Sequence, residues 1–116
     1  MTLSSTRRLG TLAALALLCM AVAAPSASAH RLPKFLAREN TYTLMKRICH
    51  EDPRPCRGWA VQRCARRSDH RVDCRASHSF RENGVDKTCR MWAATRLRGN
   101  VYTTRILRAT VNCGPA

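Results

Sequence analysis

The chain is short of carboxylates. It carries 7 Asp and Glu against 21 Lys and Arg over 116 residues, a net charge of +14. An imbalance of that size points to anionic partners. Lysine is scarce as well. After residue 29 there are three Lys against sixteen Arg, which favours bidentate contacts to oxyanions over point-charge attraction. No C-x-x-C pair occurs, so the closely spaced ligands of a structural zinc site are missing. A G-x-S-x-G nucleophile turn and a phosphate-cradling glycine loop are absent too, as are internal repeats and low-complexity runs.

Long apolar runs are also lacking. The longest, Leu12 to Ala24, has thirteen residues, too few to cross about 30 Å of hydrocarbon. Arg7 and Arg8 precede it, and Ala27-Ser28-Ala29 follows it as a small-x-small site. Residues 1–29 therefore read as a cleaved secretory signal, with the mature, secreted chain starting at His30 and holding no transmembrane segment. Leu18 before Cys19 departs from a lipoprotein signal, and Arg7-Arg8 is the sole hint of the twin-arginine route. Losing Arg7 and Arg8 with the leader lowers the charge from +14 to +12. Residues 30–116 suit one small domain, with a monomer as the default.

Six cysteines remain: Cys49, Cys56, Cys64, Cys74, Cys89 and Cys113. An even number in a short exported chain predicts three disulfides, which a small core needs. Cys64 and Cys74 lie equally far from Asp69, the centre of a Ser68-Asp69-His70 turn, so antiparallel strands would set them opposite each other. Cys49 and Cys56 bracket the Asp52-Pro53-Arg54-Pro55 break and would pin a helix end to the next loop. Cys89–Cys113 completes the expected set, although it is offset from its hairpin centre.

A helix fits about Phe35 to Cys49, with Leu36, Thr41, Leu44, Met45, Ile48 and Cys49 near one face. Pro33 suits its first turn, Lys46 and Arg47 suit its last, and Pro53 stops it. From Gly58 the pattern turns to period two. Val72, Cys74, Ala76, His78 and Phe80 alternate with Arg71, Asp73, Arg75, Ser77 and Ser79. Trp59 and Val61 fall out of phase with Cys64, so a bulge must bring them inward. Asn83-Gly84 and Gly99-Asn100 mark turns. They delimit a third strand, Lys87 to Arg98, and a fourth, Val101 to Val111. The predicted fold is α+β: one N-terminal helix packed on a four-stranded antiparallel meander, stapled by disulfides.

Cys64-Ala-Arg-Arg-Ser68 followed by Arg71-Val-Asp-Cys74 resembles a pattern in small exported actinobacterial proteins of unknown function. The resemblance spans residues 36–110, and its specific part is the hairpin itself. It implies the hairpin disulfide and the exported compartment, and it carries no catalytic residues. Cys49, Cys56, Cys89 and Cys113 go beyond that pattern.

Alternation places Arg71, Arg75, Arg90, Arg96 and Arg98 on the outer sheet face, with Trp92 and Tyr102 among them. Cations interleaved with rings suit an anionic polymer: nucleic acid, acidic glycan or cell-wall polymer. The expectation is a secreted, non-enzymatic binding protein with no cofactor and no metal. A ribonuclease-type hydrolase is the enzymatic alternative, nominating His78 with Glu82 or His50 with Glu51, though no spacing motif selects either pair. His30 at a new N-terminus offers an amine and an imidazole to copper but has no partner in the spacing. An antimicrobial or inhibitor-like protein adhering to anionic envelopes is a third class.

Overall fold

The structure, a computed structural model, describes residues 31–116; the leader expected at 1–29, its cleavage site and His30 lie outside the described residues. One helix, α1 (Lys34–Glu51), leads into β1 (Cys56–Ser68), β2 (Arg71–Glu82), β3 (Val85–Arg98) and β4 (Val101–Pro115). The strands form one antiparallel sheet in the order β1-β2-β3-β4, a meander with β1 and β4 at its edges.

Proline frames the helix at both ends. Pro33 sits before the first turn in extended backbone (φ −69°, ψ 139°), where its missing N–H costs nothing. Asp52 is extended because Pro53 follows it. Its own N–H still donates to the Ile48 carbonyl at 3.1 Å. Ala37, Thr41, Met45 and Cys49 are the buried helical residues, spaced by four, which is the ridge a helix lays across a sheet. The small Ala37 is fully buried where the larger Leu36 is only half-buried. Thr41 satisfies its buried hydroxyl by donating to the Ala37 carbonyl at 2.7 Å.

Alternation holds along β2 and β3. Val72, Cys74, Ala76, His78 and Phe80 face α1 with Cys89, Met91, Ala93, Thr95 and Leu97, and all are buried. In β1 the alternation is interrupted by extra residues at Arg57, Gln62 and Arg67. The bulge at Gln62 brings Trp59 and Val61 onto the face that Cys64 shares, as the phase of the sequence requires. Asn83 and Gly84 both take positive φ (52° and 76°) in the β2–β3 turn, as does Gly99 (61°) in the next. These are hairpin turns whose twist matches the strands.

The lead-in docks on the first turn. Leu32, wholly buried, donates its N–H to the Asp69 carbonyl at 2.8 Å. The Arg66 guanidinium donates to the carbonyls of Leu32, Ser68 and Asp69. Arg66 pairs with Val72 on the helix side and is occupied there.

Three disulfides join Cys49 to Cys56, Cys64 to Cys74 and Cys89 to Cys113. The last two are direct cross-strand partners on the helix side. The offset of Cys113 is absorbed in β4, where Arg108 to Val111 stand opposite Met91 alone. Thr110 holds this bulge together: its hydroxyl accepts the Trp92 N–H at 2.9 Å and donates to the Leu107 carbonyl at 2.6 Å. β4 contributes only Ile106, partly buried, to the apolar clusters.

Replacing each cysteine pair by alanine should lower the free energy of unfolding in urea by about 2 to 3.5 kcal/mol on a chain-entropy scale. The loss should grow with the separations of 7, 10 and 24 residues, making the Cys89–Cys113 variant the least stable. A smaller loss there than for Cys49–Cys56 would mean that hydrogen bonding alone secures β4.

Candidate functional site

The sheet face turned away from α1 is organised in cross-strand rows. Its central row is Arg63, Arg75, Trp92 and Leu107. On one side lies Ala65, Asp73, Ala94 and Arg105, and beyond it Arg71, Arg96 and Thr103. On the other side lies Ala60, Ser77, Arg90 and Asn112. Arg98 ends the face, opposite Val101. Among the described residues no other element covers these rows, yet Ala94, Ser77 and Asp73 are almost inaccessible to solvent. Longer side chains surround them: Gln62 Nε2 donates to the Ser77 hydroxyl at 2.9 Å, Arg67 and Arg71 close on Asp73, and Ala94 floors a hollow beside Arg96 and Arg105.

Asp73 is the one carboxylate amid the rows. Its oxygens accept from Arg71 Nε at 2.9 Å, Arg71 Nη2 at 3.1 Å and Arg67 Nε at 3.2 Å. These bonds satisfy the buried acid and raise the Arg71 pKa further above its ordinary value, the hydrogen bond to Asp73 being the main cause. Arg71 is thus on the expected face, but its guanidinium is already engaged. Asp86, beside the β2–β3 turn, similarly takes Arg57 and Arg81. Arg75, Arg90, Arg96 and Arg98 have no carboxylate within 4 Å among the described residues. Arg63 and Arg105 belong with them and were not singled out from the sequence. Their signal was present: counting back across Gly99-Asn100 sets Arg105 opposite Ala94, and Arg63 is next to the inward Cys64.

Trp92 is half-buried at the centre of the face. The Arg63 and Arg67 guanidinium carbons lie 5.6 and 5.7 Å from its ring centroid, within cation–π range. Tyr102 does not join it. Tyr102 pairs with Leu97, a core residue, so it projects to the helix side. The expectation that Tyr102 lies among the arginines is thus corrected: the Gly99-Asn100 turn that sets Arg105 opposite Ala94 also sets Tyr102 opposite the inward Leu97.

Among the described residues no histidine side chain is hydrogen-bonded or ion-paired to a carboxylate. His78 is buried on the helix side between Trp59 and Cys89. Glu82 lies about 13 Å along the same strand, where it binds Arg54 at 2.9 Å and Lys87 at 2.8 Å. His50 packs edge-on against Trp59, with ring centroids 5.2 Å apart. Among the described residues no three His, Cys, Asp or Glu side chains gather as metal ligands, and no helix is long and apolar enough to cross a membrane. No protein-family model matches the chain, and no curated protein or solved structure shows significant similarity to it.

His78 gives the molecule a pH response. Its Nδ1 is buried without a hydrogen-bond partner in the protein, as is Trp59 Nε1. Burial pushes the His78 pKa below its ordinary 6.5; Arg54 adds to that, and the Asp52 carboxylate opposes it. The unfolded chain therefore takes up a proton that the folded chain refuses, so stability is full above 6.5 and declines as pH falls below it. Asp52, held to about 2 by hydrogen bonds from Arg54, responds only below its ordinary 3.8. Thermal melts at pH 7.5 and 5.5 should show a lower midpoint in acid for the wild type. His78→Phe, which removes the orphaned nitrogen, should flatten that difference; an unchanged slope would assign it elsewhere.

Proposed function

We propose that the protein is an exported, non-enzymatic binder of anionic polymers and that the open sheet face is its binding surface. The ligand class is extracellular nucleic acid, acidic glycan or cell-wall polymer. One observation carries this reading: charge is segregated on that face. Arg63, Arg75, Arg90, Arg96, Arg98 and Arg105 share it, while the acids that face the same way, Asp73 and Asp86, are taken up by Arg67 with Arg71 and by Arg57 with Arg81. Two shallow concavities on it are rimmed by arginine, one by Arg63, Arg75 and Arg90 and one by Arg96, Arg98 and Arg105. Export is supported by the leader-like residues 1–29 and by three disulfides, bonds that persist in oxidising compartments.

Such binding is driven by counterion release and weakens with salt, with each phosphate contact adding about 0.7 to 0.9 to the slope of log K against log salt. Changing Arg63, Arg75, Arg90 and Arg96 together to Gln should lower that slope by about 3 in heparin and DNA titrations. The same charge removed from α1, at Lys34, Arg38, Lys46 and Arg47, should change it far less. Equal losses would make the attraction a property of net charge alone, and no retention of the wild type at about 0.15 M salt would end the proposal.

A further inference from the structure

The centre of the open face is not purely cationic. Trp92, Leu107 and the floor residue Ala94 make an apolar middle, and arginines stand around it. An acidic glycan can lay a saturated sugar ring on the indole, but only a nucleic-acid base offers it a π-face. A ligand that alternates flat apolar rings with anions matches both parts. Guanidinium planes at 5.6 and 5.7 Å from the Trp92 ring can stack on a ring laid against it, as the indole itself can.

The shape of the face decides between single-stranded and duplex nucleic acid. Four strands at about 4.8 Å spacing make a surface about 14 Å across, wider than the roughly 12 Å major groove, which admits one helix or a two-stranded ribbon. Trp92, in an inner strand, cannot reach paired bases, so a duplex would meet only the rim. An unpaired strand can turn its bases toward the sheet. We propose that the open face binds single-stranded nucleic acid, with a base stacked on Trp92 and backbone phosphates on Arg75, Arg90, Arg96 and Arg105. This rests on the polyanion reading and adds the ring as a determinant.

The test compares four probes at one salt concentration: dT12, an abasic 12-mer with the same phosphates, a 12-base-pair duplex and a heparin dodecasaccharide. The wild type should bind dT12 about tenfold or more tighter than the abasic strand, the scale of one base stacked on an aromatic ring. In the Trp59→Phe background, where Trp92 is the sole tryptophan of the described residues, dT12 should quench the fluorescence and heparin should not. Trp92→Leu should erase the preference for dT12 while leaving heparin affinity within about twofold; Trp92→Tyr should keep most of it. Equal binding of dT12 and the abasic strand by the wild type overturns the proposal without needing a variant. A parallel loss of heparin affinity in Trp92→Leu also overturns it, making the ring a prop for the arginines. In either case, loss of all binding in the four-arginine variant would leave the polyanion reading standing. No binding of any probe by the wild type removes both.

Discussion

Two covalent cross-strand pairs hold the register of the whole sheet. A strand that slips by one residue turns every side chain to the wrong face, and β1 is unusually free to slip because extra residues interrupt it at Arg57, Gln62 and Arg67. Cys64–Cys74 removes that freedom between the second and third of these interruptions. Cys89–Cys113 does the same beyond the bulge in β4, a strand that α1 barely covers. Hydrophobic burial alone cannot do this work, since the core is small: Phe80, Leu32, Met45 and Val72 are its largest fully buried apolar side chains.

The same register sorts the charges. With Cys64, Cys74 and Cys89 turned toward α1, the neighbouring Arg63, Arg75 and Arg90 must turn away. The staple and the basic face are therefore one choice, made by the period-two geometry of the strand. Most carboxylates sit at the ends of the sheet or on the helix. Asp52, Glu82, Arg54 and Lys87 form a chain of ion pairs there, with the Arg54 guanidinium 3.6 Å above the Phe80 ring. Asp73 is the exception, and its burial requires the partners it finds in Arg67 and Arg71. A buried carboxylate needs its lone pairs filled.

How much of this was legible in the sequence follows from where the local signal was periodic. β2 and β3 alternate cleanly, and the Asn83-Gly84 and Gly99-Asn100 turns bound them, so their faces and the α+β order were readable. The bulge at Gln62 was legible as a phase error between Val61 and Cys64. Arg66 and Arg67, being consecutive, had to diverge, and they do: one ties down Leu32, the other joins Asp73. What could not be read was set by contacts distant in sequence. Asp73 reads as one more outward polar residue until Arg67 and Arg71 close over it. Ala37 looks indifferent in a helix pattern, yet its small side chain is what lets α1 sit close to the sheet.

The irregular outer strands have a consequence for what this protein does in company. A sheet edge with regular, free peptide groups is a template for the edge of another molecule. Here β1 is broken at three positions, with Arg38 of α1 donating to its Val61 carbonyl at 2.9 Å. β4 is broken by Arg108 to Val111. Among the described residues neither edge is regular over its full length, and the longest unbroken run is Val101 to Leu107. Edge-to-edge pairing of two copies would therefore be confined to short runs such as Val101 to Leu107.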